Sequence, residues 1–213
     1  MKNFFFAFSL SCLLSCQVSE KHENDNVSTN LLHGIAPRSS DSLVNVVIEI
    51  PAGTSQKWEV NKLSGQLEWE MISSDSMRII DYLSYPANYG FVPQTLLSEE
   101  LGGDGDPVDV FVLGENIARG QVIQCKIIGL IDMMDSGEAD GKLIAVPIHG
   151  PLQRVNTLEE LKATYPGILE ILQIWLANYK GNGKVEILSV KDEKVAIEYL
   201  QTSIRTYKNS KSD

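Results

Sequence analysis

No run of 18 or more apolar residues occurs in this 213-residue chain, so no segment is long enough to cross a bilayer as a helix. Basic residues are in short supply, with 18 Lys and Arg against 28 Asp and Glu and a formal net charge of −10. That balance argues against a nucleic-acid partner, because phosphate backbones are held by clustered Lys and Arg. A phosphate compound stays within reach if metal ions supply the positive charge. The three cysteines, Cys12, Cys16 and Cys125, offer no disulfide framework. Cys125 stands alone in an apolar strand pattern and reads as a small buried hydrophobe. Stability must therefore come without disulfide cross-links. There is no internal repeat. Hydrophobic content is an ordinary 43%, in a length suited to one domain.

The first residues stand apart. Lys2, the run Phe4-Phe5-Phe6-Ala7-Phe8 and the segment Leu10 to Leu14 have the basic start and short apolar core of a secretion signal. Leu13-Leu14-Ser15-Cys16 resembles the lipobox of bacterial lipoproteins, where cleavage before the cysteine leaves a lipid-modified N-terminal residue. The expected division is a signal peptide over 1–15, a lipidated Cys16 with a flexible polar tether over 16–40, and a folded domain over 41–213. The corresponding location is extracytoplasmic, anchored by lipid to a bacterial membrane and facing the periplasm. A plain secretion signal and a misassigned start ahead of a cytoplasmic enzyme are the alternatives.

The domain opens on Leu43 to Ile50, a β-rich run stopped by Pro51-Ala52-Gly53. Further strand-like runs span Lys57 to Asn61, Gln66 to Met71, Asp109 to Leu113, Val122 to Ile131 and Leu143 to Pro147, at the close spacing of a small barrel. Thr157-Leu158-Glu159-Glu160 has the form of a capping box. Apolar residues then recur at helical spacing from Ile168 to Tyr179 and again from about Asp192 to Tyr207.

The densest chemistry is Asp104-Gly105-Asp106-Pro107-Val108-Asp109, three carboxylates within six residues. Carboxylates this close repel one another unless a cation sits among them, which suits a hard divalent ion. An acidic surface turn ahead of a strand is the competing reading. Asp135-Ser136-Gly137-Glu138-Ala139-Asp140-Gly141-Lys142 is a second acidic segment, which taken alone reads as a solvated loop. Glu49 lies in an apolar strand, where it is either a costly buried carboxylate or turned to the solvent side. Lys57 and Glu59 flank Trp58, Arg78 follows a loop, and Tyr85 and Tyr89 lie four residues apart in a non-helical turn. Arg forks and tyrosine hydroxyls suit phosphate oxygens. Tyr179-Lys180 closes the first amphipathic helix.

Taken together and in this order, these segments resemble family I soluble inorganic pyrophosphatases over nearly all of residues 43–207. The residues that carry the resemblance are Val47 to Pro51, Lys57-Trp58-Glu59, Tyr85 to Gly90, the Asp104 to Asp109 turn, Asp135 with Asp140 and Lys142, and Tyr179-Lys180. The resemblance implies a mixed, mainly β fold, an OB-like five-stranded β-barrel flanked by α-helices. It also implies Mg²⁺ as cofactor, inorganic pyrophosphate as substrate and association into a homo-oligomer. Under it Asp104, Asp109 and Asp140 match ligands of the tightest metal, Asp135 and Asp140 those of a bridging metal, and Glu49 a ligand of a further metal. Asp106 matches the general base. Lys57, Arg78, Tyr89, Lys142, Tyr179 and Lys180 match substrate-binding positions, with Glu59 and Tyr85 in support. Arg78 is assigned because no other Arg lies between Glu70 and Tyr85.

The expected reaction is hydrolysis to two phosphates by direct attack of metal-activated water. A membrane-tethered phosphate- or metal-binding module that kept the fold is the alternative, and a hydrolase of organic polyphosphates is a third reading.

Overall fold

The computed structural model describes residues 29–99 and 102–212. The expected signal peptide, Cys16 and most of the expected tether lie outside the described residues. Eleven strands and three helices follow in the order β1 (Val44–Ile50), β2 (Trp58–Val60), β3 (Leu67–Trp69), β4 (Met71–Ser73), β5 (Ser76–Met77), β6 (Asn88–Phe91), β7 (Asp109–Val112), β8 (Val122–Asp135), β9 (Glu138–Ala139), β10 (Lys142–Pro147), α1 (Leu158–Thr164), α2 (Ile168–Asn178), β11 (Val185–Lys191) and α3 (Glu193–Ser210), among the described residues.

Five strands close on themselves, β1 pairing with β6, β6 with β7, β7 with β10, β10 with β8 and β8 again with β1. Only the β7–β10 pair within this ring is parallel. This is the OB-like barrel. Closure removes the free edges that an open sheet would expose, and it fills the interior from β1, β7 and β10, which are buried on nearly every residue. β11 and β9 extend β8 outward. At the tightest crossing of β1 and β6, a Cβ on Gly90 would lie 1.8 Å from the carbonyl oxygen of Val47, so only glycine fits there.

Helix α2 packs Leu169, Leu172, Trp175 and Leu176 against one side of the barrel, while α3 seats Ala196, Leu200 and Ile204 on another. Thr157 caps α1 by accepting from the backbone N–H of Glu160, as the sequence pattern suggests.

Several strand assignments are corrected by the structure. Asn88 to Gly90, read from sequence as part of a turn, belongs to β6, whose backbone closes the barrel between β1 and β7. Gln66 to Met71 is not one strand; β3 ends at Trp69 and a short β4–β5 hairpin begins at Met71, with the Glu70 N–H donating to the Lys57 carbonyl at 2.9 Å and the Arg78 N–H donating to the Glu70 carbonyl at 2.8 Å. The strand from Val122 runs on to Asp135. The part of the expected tether within the described residues is packed rather than free: Leu32 is buried with Val47, Val60 and Phe91, and Leu31 donates its N–H to the carbonyl of Gly65 at 2.8 Å.

Candidate active site

One face of the barrel carries a polar cleft of about 360 Å³ that gathers groups from five parts of the chain. The hairpin β2–β3 and its continuation supply Lys57, Glu59, Glu70 and Arg78. The segment into β6 supplies Tyr85 and Tyr89, the acidic turn and β7 supply Asp104, Asp106 and Asp109, the β8–β10 region supplies Asp135, Asp140 and Lys142, and the end of α2 supplies Tyr179 and Lys180. Glu49 borders an adjoining recess lined also by Lys57, Asp106 and Asp109. The site residues named above that lie among the described residues are thus brought to one place, although they span more than 130 positions of sequence from Glu49 to Lys180.

Local structure explains the convergence. Gly105 adopts φ +76°, a left-handed turn that costs glycine little, and the Asp106 N–H donates to Oδ1 of Asp104 at 2.9 Å. The turn is clamped from outside because the Leu97 N–H donates to the Asp106 carbonyl and the Gly105 N–H to the Leu97 carbonyl, both at 2.8 Å. Below the cleft lies an aromatic floor in which Tyr85 packs 4.5 Å from Trp175, and Trp175 stacks on Tyr179 at 4.5 Å and 13°. The Trp175 indole donates to the carbonyl of Leu83 at 2.8 Å, so α2 is fixed against the segment that leads into β6.

Electrostatics dominate the cleft. The Lys142 ammonium, whose side chain is 4% exposed, donates to both Asp109 and Asp140. Lys180 pairs with Asp135, and Lys62 reaches across to Asp106. Burial works against a charged Lys142, but Asp109 and Asp140 outweigh it and hold the ammonium well above the usual lysine range. Asp140 is raised by burial, with Lys142 pulling the other way. Burial, with Asp106, Asp140 and Asp109 adding repulsion, pushes Asp104 up to about 6. Tyr85, Tyr89 and Tyr179 are all raised, chiefly by burial, and stay protonated donors at neutral pH.

Residues 46–208 match the family described as inorganic pyrophosphatase. The chain belongs to the inorganic pyrophosphatase family. The inorganic pyrophosphatase of Campylobacter jejuni is 37% identical over 169 residues, covering 78% of this chain and 92% of its own. Among solved structures, the inorganic pyrophosphatase of Thermus thermophilus superposes with a TM-score of 0.71 at 26% identity, over 84% of this chain and 99% of that one. A truncated vacuolar soluble pyrophosphatase of Trypanosoma cruzi, solved in complex with PPi, shares the fold with a TM-score of 0.80 at 24% identity, over 85% of this chain and 79% of that one.

The acidic set of this pyrophosphatase fits a hard divalent cation in its chemistry. Every acidic group in it offers oxygen, which suits a hard cation more than a soft metal. Among the described residues no three acidic or imidazole groups already surround one point. Instead, Asp106, Asp109, Asp135 and Asp140 each draw an ammonium group, while Asp104 has a backbone N–H and three carboxylate neighbours. The cluster demands positive charge and is least supplied at Asp104.

Two cleft groups escape a reading from sequence. Glu70 accepts from Nη1 of Arg78 through both oxygens, at 2.8 and 3.0 Å, and so aims the guanidinium. Lys62 pairs with Asp106 from the β2–β3 turn. No motif marks either residue; only the strand register of Lys57 and Glu59 hinted that this hairpin faces the site.

Glu49 is buried, which decides between its two sequence readings. It is 4% exposed and accepts from the Val60 N–H at 2.7 Å. Burial pushes its carboxyl up to about 8 against the pull of Lys57. Between the ordinary value of 4.5 and about 8, the folded chain keeps a proton that the unfolded chain has released. The contribution of Glu49 to the stability of the metal-free chain is therefore full below about pH 4.5 and lost as pH rises through about 8. Thermal unfolding in chelator should show a fall between pH 5 and pH 8 that is smaller in Glu49→Gln; equal slopes would contradict this assignment.

Proposed function

We propose that this cleft hydrolyses inorganic pyrophosphate to two phosphates by direct attack of water, with Mg²⁺ as the ion that its carboxylates hold. The observation that carries the reading is the presence, in one cleft of about 360 Å³, of five aspartates together with the cations Lys57, Arg78, Lys142 and Lys180. An anion as charged as pyrophosphate is otherwise repelled by such a cluster.

Asp104, Asp109 and Asp140 form one ligand set, Asp135 with Asp140 another, and Glu49 belongs to a further position. When bound, Mg²⁺ neutralises phosphoryl oxygens and lowers the pKa of a bound water. Asp106, on its clamped turn and half-exposed, takes the proton from the attacking water. Lys57, Arg78, Lys142 and Lys180 bind the phosphoryl oxygens, with Tyr89 and Tyr179 donating through their hydroxyls. Arg78, Tyr179 and Lys180 stabilise the leaving phosphate. Glu59 supports Lys57, 3.7 Å away, and Tyr85 supports the floor.

Phosphate release from pyrophosphate and from a nucleoside triphosphate, each with Mg²⁺, tests the reading. Pyrophosphate should be preferred by about 100-fold or more, because a site built around paired cations gains nothing from a nucleoside. Equal rates would favour a hydrolase of organic polyphosphates, and no turnover by a folded chain would favour a binding module.

We further infer a lipid anchor at Cys16, supported by Lys2, the apolar run to Leu14 and the Leu13-Leu14-Ser15-Cys16 sequence. Cys16→Ala should move the protein out of the membrane fraction; unchanged retention there would contradict the anchor.

A further inference from the structure

Arg119 has no place in the chemistry above, yet it is tied to the wall of the cleft. It lies in the loop between β7 and β8, where Nε donates to the carbonyl of Glu49 at 2.9 Å and Nη2 to Oε1 of Gln56 at 3.3 Å. Its guanidinium carbon lies 4.1 Å from the centre of the Trp58 ring. Trp58 in turn stacks on Trp69, with ring centres 5.8 Å apart and planes 23° apart. The Trp69 indole donates to the Arg78 carbonyl at 2.8 Å, and the Lys57 N–H donates to the same oxygen at 3.1 Å.

Each ring in this stack is adjacent in sequence to groups that line the cleft. Trp58 separates Lys57 from Glu59, and Trp69 precedes Glu70, which grips Arg78. Side chains alternate along a strand, so a ring pinned on one face of the hairpin fixes where its neighbours point on the other. A planar guanidinium suits this task, since it stacks on the indole while its edge donates in two directions.

We propose that Arg119 is a positioning residue, acting through the Trp58–Trp69 stack to set Lys57 and Arg78 at the spacing that pyrophosphate binding requires. The proposal rests on reading the cleft as the pyrophosphate site. Lys57 and Arg78 hold phosphoryl oxygens in the bound substrate, so misplacing them raises KM, and the part that Arg78 plays at the leaving phosphate lowers kcat to a smaller extent.

The test is steady-state kinetics with Mg²⁺ on the full-length chain and on Arg119→Ala, Trp58→Ala, their double variant, Arg119→Lys and Trp58→Phe, each with a thermal melt. Arg119→Ala and Trp58→Ala should each raise KM about tenfold with kcat within about threefold of wild type. The double variant should be no worse than either single one, because both remove the same device. Trp58→Phe keeps a ring and should stay within about twofold of wild type, whereas Arg119→Lys loses the planar fork and should raise KM several-fold. If the alanine variants fail to fold, those two conservative changes decide the matter, and a larger defect in Trp58→Phe than in Arg119→Lys overturns the proposal. A lowered melting temperature with unchanged KM makes the stack merely structural and overturns it too, as do additive effects in the double variant. A wild-type chain that turns over no pyrophosphate removes the reading of the cleft and this proposal together, whereas active wild type with unaltered variants removes this proposal alone.

Discussion

Replacing Asp106 by Asn should leave a folded chain that still binds Mg²⁺ but turns over pyrophosphate about 10²- to 10⁴-fold more slowly, the range for losing a general base. The substitution is conservative in shape. The turn is held by the Gly105 φ of +76° and by backbone bonds from Asp106 N–H to Asp104 and from Leu97 N–H to the Asp106 carbonyl, none of which uses the Asp106 carboxylate. What the amide lacks is an oxygen able to accept a proton from the attacking water. The proposed ligands Asp104, Asp109, Asp135 and Asp140 remain, so calorimetric titration with Mg²⁺ should be nearly unchanged while phosphate release collapses. A variant within tenfold of wild type would remove Asp106 from the base role, and lost Mg²⁺ binding would make it a ligand instead.

Lys142→Met should produce the largest change in stability. The ammonium is 4% exposed and satisfies both Asp109 and Asp140, so its removal strands two carboxylates at the mouth of β10. Breaking a buried ion pair from one side typically costs about 3–5 kcal/mol, because the remaining charge has no compensation. For a chain of this length that corresponds to a fall in Tm of roughly 6–20 °C. Burial already raises the Asp140 carboxyl, so a proton can replace the ammonium as pH falls. The loss should accordingly be smaller at pH 5 than at pH 8. Urea unfolding in chelator at the two pH values measures this; a difference below about 1 kcal/mol at pH 8 would place Lys142 among ordinary surface pairs. Added Mg²⁺ should restore part of the loss, if the ion takes the charge that Lys142 supplied.

Much of this molecule was legible where a single chemical pattern governs a segment. β1, β7 and β10 are mainly apolar because they are buried inside the barrel, and α2 shows a clean stripe because only one of its faces meets the core. β6 was not legible, since Asn88 and Gly90 look like turn formers. Asn88 is instead committed inward, its side chain accepting from the Ala52 and Ile117 N–H groups at 3.1 and 2.8 Å, and Gly90 permits the close crossing with β1. The packed stretch around Leu32 was hidden for a similar reason, as a few apolar residues among polar ones carry no period. In the cleft, the acidic turn announces itself through spacing. Lys62, Glu70 and Arg119 do not, because their roles depend on which segment folds opposite them. Tertiary neighbours of that kind are fixed by the barrel and not by any local pattern.

The central claim is that this cleft hydrolyses pyrophosphate with a divalent ion and Asp106. It is tested most directly by phosphate release from pyrophosphate by the full-length chain, with Mg²⁺ and with chelator, beside Asp106→Asn. The full chain is used because residues near Leu32 pack on the barrel and a piece beginning at residue 41 would lose them. Release that requires Mg²⁺ and is lost in Asp106→Asn is the predicted result; release that persists in chelator, or a folded and metal-binding chain that releases none, would contradict the account.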